Sequence, residues 1–145
     1  MGFNTNGSMK GQIAFIFPGQ GSQSIGMMNS FRKLPVVNEV IEESSDTLKE
    51  NLFELIDNGP EEKLNLTINT QPVLLACSLA IWKLFLSKCP SCIPGYFAGH
   101  SLGEYSALTA ANAFTLTEAV GLVRYRADIM QSITSPGDCG KIGRA

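Results

Sequence analysis

Histidine is nearly absent from this 145-residue chain: His100 is the only one. A zinc centre is therefore short of ligands, and four cysteines do not make up the shortfall, because only Cys89 and Cys92 form a close pair. No run of Lys or Arg occurs. The 11 basic and 13 acidic residues are interspersed and leave a net charge of −2, so the electrostatic footprint of a nucleic-acid or anionic-lipid binder is missing. Long apolar runs are missing too. The longest, Pro72 to Leu86, is interrupted by Ser78 and Lys83 and falls short of the roughly 20 residues that a spanning helix needs, which predicts a buried helix instead. Ile13 to Phe17 is too short for a signal-peptide core, and Asn6 stands where a myristoylation motif needs Ser or Thr. These absences predict a cytoplasmic protein that takes small molecules or proteins as partners, with no metal, nucleic acid or membrane.

Cys89-Pro90-Ser91-Cys92 has the spacing of a redox motif. It precedes a predicted strand in a proline-containing loop rather than sitting at a strand-to-helix turn, so reduced, structural thiols are the expectation.

What is present suffices for one ordinary core, with 44% apolar residues. Residues 1–9 are rich in Gly, Asn and Ser and are expected to be a flexible extension, with Met9 as an alternative start. Residues 10–134 form the domain portion, and 135–145 are a tail with almost nothing to bury. Gln12 to Phe17 predicts a strand closed by Pro18-Gly19, and Val36 to Ile56 a helix broken near Asn51. Glu61 to Leu64 predicts a short helix, and Thr70-Gln71-Pro72 opens the helix to Leu86. Tyr96 to Gly99 is a predicted strand followed directly by a helix over Leu102 to Ala111. Thr115-Leu116-Thr117-Glu118 has capping-box spacing and starts a helix to about Ile133. Strands alternating with helices predict an α/β fold with a parallel sheet.

The sharpest chemical signal is Gly99-His100-Ser101-Leu102-Gly103, a G-x-S-x-G elbow between a predicted strand and a predicted helix. Glycines two residues to either side let the turn close tightly, so the Ser101 hydroxyl projects at a helix N-terminus. First-turn amides have no intrahelical acceptor, so the Leu102 N–H is available to an oxyanion. His100 is set aside as a base, because a residue adjacent to the nucleophile on a sharp turn points elsewhere and triad bases come from distant segments.

Phe17-Pro18-Gly19-Gln20-Gly21-Ser22-Gln23 is a glycine-rich loop after the first strand. It fits neither the dinucleotide nor the P-loop template, because Ser24 takes the third-glycine position and no Gly-Lys-Ser/Thr follows. It reads either as an ordinary turn or as a loop bringing Gln20 to the serine from the carboxyl end of a strand. In the last helix, helical phase puts Ala119, Leu122, Val123, Ile129, Met130 and Ile133 on one face with Arg126 near its middle, whereas Arg124 and Asp128 point away. Arg126 is thereby predicted buried. A buried guanidinium needs a partner: either a structural ion pair or a substrate carboxylate received by its planar fork.

With these motifs in hand, the chain resembles the malonyl-CoA:acyl carrier protein transacylases of type II fatty acid synthesis over about residues 11–134. Phe-Pro-Gly-Gln-Gly-Ser-Gln at 17–23, Thr-Gln-Pro at 70–72 and Gly-His-Ser-Leu-Gly-Glu-Tyr at 99–105 carry the resemblance. It implies an acyl-accepting Ser101, oxyanion donors on the backbone of Gln20 and Leu102, and a malonyl-carboxylate site at Arg126. It implies ping-pong transfer of a malonyl group from malonyl-CoA to the phosphopantetheine thiol of acyl carrier protein, with no cofactor beyond the CoA thioester itself. The implied fold is part of an α/β-hydrolase-like parallel sheet flanked by helices.

Members of that family are roughly twice as long, and the resemblance implies that their catalytic histidine and small ferredoxin-like subdomain lie beyond the portion matched here. A truncated acyltransferase is the expectation. The alternatives are a non-catalytic fragment, an acyltransferase segment of a polyketide-type synthase, and a serine esterase. The short start before Gln12 weighs against the synthase segment, and the arginine weighs against the esterase.

Overall fold

A computed structural model describes residues 13–133 of the chain. The expectations for residues 1–9 and 135–145, and the Gln12 end of the first strand, lie outside the described residues. Strand β1 (Ala14–Phe17) runs parallel to β2 (Tyr96–Gly99), with Ala14 opposite Tyr96 and Phe17 opposite Gly99. Between them come a 3-10 turn at Asn29–Phe31 and helices α1 (Pro35–Leu48), α2 (Leu52–Asn58), α3 (Glu61–Leu64) and α4 (Thr67–Lys88). Helices α5 (Leu102–Ala110) and α6 (Leu116–Ile133) follow β2. This is a partial α/β fold: a two-stranded parallel sheet with helices packed on it.

The predicted break near Asn51 falls between α1 and α2. Lys49 closes α1 in the left-handed region at φ 57°, and the Asn51 side chain accepts from the Glu54 amide at 3.0 Å to start α2. The predicted cap of α6 also forms. Glu118 accepts from the Thr115 amide at 2.9 Å and hydroxyl at 2.8 Å, while Thr115 Oγ1 accepts from the Glu118 amide at 3.2 Å. The backbone bond and then the hydroxyl bond hold the Glu118 carboxyl below its ordinary range.

Helix α4 is the centre of the core. Thr67 and every residue from Asn69 to Cys77 are buried, and the helix packs against α1, α5 and α6. It is long and apolar enough to cross a membrane, yet 61% of its most apolar window is buried inside the protein, as in the core helix of a folded domain. On the sheet, Phe15 meets Trp82 at 4.8 Å and Trp82 meets Phe97 edge-on at 5.2 Å, so aromatic contacts fasten α4 to both strands.

Three expectations are corrected. Helix α4 starts at Thr67, five residues before Pro72, so Pro72 lies inside it. The extra turn is fixed by tertiary bonds: Thr70 Oγ1 donates to the Leu64 carbonyl at 2.5 Å and Asn69 Nδ2 to the Lys63 carbonyl at 2.8 Å. Cys89 and Cys92, expected as separate reduced thiols, are paired as a disulfide in the structure, where the turn after α4 brings their Cα atoms to 5.3 Å and the Cys92 amide donates to the Cys89 carbonyl. Helix α6 buries Ala119, Val120, Val123 and Ala127, whereas Leu122, Ile129, Met130 and Ile133 are exposed. The buried face is turned by about 75° from the predicted one, because small side chains let α6 lie close on α4. Arg126 therefore stands at the edge of the contact, half-buried rather than buried.

Candidate active site

The end of β2 and the start of α5 are joined by a turn that only glycine permits on either side of Ser101. A Cβ on Gly99 would stand 2.0 Å from the Gly103 carbonyl carbon, and one on Gly103 would stand 2.3 Å from the Phe17 carbonyl oxygen. Helix α5 thus begins in backbone contact with the ends of both strands. Ser101 itself takes φ 55° and ψ −110°, a conformation that costs a non-glycine residue roughly 1–3 kcal/mol and lifts its side chain out of the turn. Glu104 offsets part of that cost by accepting from the Ser101 amide at 3.1 Å.

Ser101 is half-buried, and its Oγ accepts from Arg126 Nη2 at 2.8 Å. Arg126 Nη1 donates to Gln71 Oε1 at 2.5 Å, and the guanidinium carbon lies 5.6 Å from the Tyr105 ring centroid. Three helices thus meet at one cation: α4 through Gln71, α5 through Tyr105, and α6, which bears it. Among the described residues no carboxylate pairs with Arg126; the two ion pairs are Arg32 with Asp57 and Arg124 with Glu50. The structural ion pair considered for Arg126 is therefore not formed among them. Its positive charge is held by neutral groups beside a serine hydroxyl, an arrangement suited to receiving an anion.

Of the two expected oxyanion donors, Leu102 is buried at the first position of α5, where its amide has no intrahelical acceptor. Gln20 is placed less directly. Its side chain donates to Thr67 Oγ1 at 3.4 Å rather than reaching Ser101. The loop itself lies against the elbow, since a Cβ on Gly19 would be 3.1 Å from the His100 carbonyl oxygen and 3.8 Å from His100 Nδ1. Gln23 braces it, accepting from the Gly21 amide and donating to Asn65 Oδ1, both at 2.8 Å. The exposed His100 ring thus packs over the Gly19 loop, and no imidazole bonds to Ser101 Oγ among the described residues. A cleft of about 500 Å³ opens near the C-terminal end of α5, between Trp82, Phe97 and Phe114, but none of the four candidate residues lines it. The chemistry rests on the elbow.

Sequence reasoning assigned no site role to Gln71, Tyr105 or Thr67. The available signal was a polar pair at helical spacing, Thr67 and Gln71, at the head of the apolar run that starts at Pro72.

Comparison with known proteins relates the chain and its fold to others. The acyl transferase domain model matches residues 14–144. The malonyl CoA-acyl carrier protein transacylase of Haemophilus influenzae is 43% identical over 127 residues, covering 87% of this chain and 41% of that protein. The Bacillus subtilis (strain 168) protein of the same name is 44% identical over 128 residues, covering 88% and 40%. Among solved structures, the acyl-carrier-protein S-malonyltransferase of Burkholderia pseudomallei 1710b superposes with a TM-score of 0.78 at 48% identity, covering 84% of this chain and 39% of that one. A malonyl-transacylase in complex with a type II polyketide synthase acyl-carrier protein superposes at 0.79 with 45% identity, covering 84% and 40%. The chain spans about 40% of the length of the relatives it matches.

Proposed function

The chain belongs to the acyl transferase domain family, and on that footing we propose that it carries the acyl-accepting part of a malonyl-CoA:acyl carrier protein transacylase of fatty acid synthesis, working in the cytoplasm. One observation carries the reading: an arginine without a carboxylate partner among the described residues donates directly to the hydroxyl of a serine on a strained elbow. The carboxylate of a malonyl group stands one methylene beyond the reacting carbonyl. A guanidinium that already touches the nucleophilic oxygen can reach it.

In this reading Ser101 Oγ attacks the thioester carbonyl of malonyl-CoA. The oxyanion is received by the Leu102 amide and by the backbone of Gln20, and Arg126 binds the carboxylate. Collapse of the tetrahedral intermediate expels the CoA thiol and leaves malonyl-Ser101. The phosphopantetheine thiol of acyl carrier protein then repeats the attack and takes the malonyl group. The serine proton goes to a base supplied from outside residues 13–133. No cofactor beyond the thioester substrate takes part.

A second reading, a non-catalytic segment, is favoured by the bonding of Ser101 Oγ, which among the described residues is to Arg126 and not to an imidazole. Calorimetric titration of the Ser101→Ala chain with malonyl-CoA and acetyl-CoA tests the carboxylate site without chemistry. Malonyl-CoA should bind about tenfold tighter or better, the contribution of a charge-assisted hydrogen-bond pair. Equal affinities would remove the basis for the proposal.

A further inference from the structure

Gln71 lies in the second turn of α4 with no exposed surface at all. Its Oε1 accepts from Arg126 Nη1 at 2.5 Å and its Nε2 donates to Met130 Sδ at 3.3 Å, so both ends of the amide point into α6. An arginine edge has only donors, which fixes the amide with its oxygen toward the guanidinium. Four residues earlier on the same helical face, Thr67 Oγ1 receives the Gln20 side chain. One face of α4 thus supports both the glycine-rich loop and the cation.

A buried amide is an unfavourable occupant of a helix contact when an apolar side chain of the same volume would serve. A carboxylate at this position would hold Arg126 more strongly, but it would neutralise the charge and make the arginine a structural ion pair. A neutral carbonyl oxygen fixes one edge of the guanidinium and leaves its charge for another partner. We propose that Gln71 is the positioning residue of this site: its side-chain carbonyl holds Arg126 against Ser101 without neutralising it, and so keeps the guanidinium competent for the carboxylate of an incoming acyl group. This inference rests on the reading above that Arg126 receives that carboxylate.

The test compares wild type, Gln71→Met and Gln71→Glu, each checked for folding by its thermal melt. One measurement is the rate of Ser101 acylation by malonyl-CoA and by acetyl-CoA, read by intact mass. Both variants should slow malonyl loading by about tenfold or more, the effect of losing a hydrogen bond to, or the free charge of, the guanidinium. Acetyl loading should change by less than about threefold. Parallel loss for both substrates, or a Gln71→Glu variant that loads malonyl like wild type, overturns the proposal. The second measurement needs no reaction. In arginine-labelled protein, the two Arg126 Nη resonances should be separate in wild type and Gln71→Glu, where rotation is restrained, and merged in Gln71→Met. Resonances already merged in wild type overturn the role of Gln71 whatever the kinetics. Separate resonances in a wild-type chain, beside a Ser101→Ala chain that binds malonyl-CoA no tighter than acetyl-CoA, leave Gln71 as the tether of Arg126 and overturn its part in acyl transfer together with the reading it rests on.

Discussion

Gly103 meets the carbonyl of Phe17 so closely that a Cβ would lie 2.3 Å from the oxygen, which ties the nucleophile turn to the end of the other strand. Backbone, not a pliable side chain, is what the added carbon would strike. Gly103→Ala should therefore lower unfolding stability by about 1–3 kcal/mol and displace Ser101 from Arg126. Urea melts measure the first effect and Ser101 acylation the second. A fully stable variant with wild-type acylation would show that the close approach is not required.

Arg126 touches Gln71, Ser101 and the face of Tyr105 through one planar group. A lysine keeps the charge and loses the fork. Arg126→Lys should therefore lose malonyl loading nearly as badly as Arg126→Ala, by about a hundredfold, as removal of a partly buried charge partner does. Acetyl loading should be affected far less in both. Comparison of the two loading time courses by mass spectrometry decides it, and rescue by lysine would mean that charge alone matters.

Burial, with a smaller contribution from the charge of Asp57, pushes the Cys77 thiol up to about 12 from 9.0. Below pH 9 both folded and unfolded chains hold the proton, so Cys77 adds no pH dependence. As pH rises from 9 towards 12 the unfolded thiol ionises first, and stability falls over that window. Denaturant midpoints for wild type and Cys77→Ala should diverge in slope only above pH 9, and iodoacetamide at pH 8 should leave Cys77 unmodified in the folded chain. Rapid alkylation without unfolding would contradict the burial argument.

Local chemistry made much of the fold legible. Asn51, Gly99 and the Thr115–Glu118 pair act within a few residues of themselves, and the elements they delimit are where the sequence predicts them. The start of α4 was hidden because Pro72 resembles a first-turn proline, whereas the true first turn is pinned by Asn69 and Thr70 to carbonyls of α3. The face of α6 was misread because large apolar residues dominate a phase count, although Val120 and Ala127 are buried beside Ala119 and Val123 while Leu122, Ile129, Met130 and Ile133 are exposed. For the site, Ser101 and Leu102 follow from the elbow alone. Arg126 was reached by phase, but its contact with Ser101, 25 positions away, depends on how α5 and α6 pack. Gln71 speaks only through that packing.

The most direct test of the account is the intact mass of the folded chain after incubation with malonyl-CoA, beside the Ser101→Ala variant and an acetyl-CoA control. The account predicts a malonyl-sized gain on the wild-type chain, located on Ser101, absent from the variant and much slower with acetyl-CoA. A gain that is equal in the variant would contradict the assignment of Ser101 as the acyl acceptor, a gain that is equal with acetyl-CoA would contradict the assignment of Arg126, and a folded chain that gains no mass would contradict acylation by this chain without an added base.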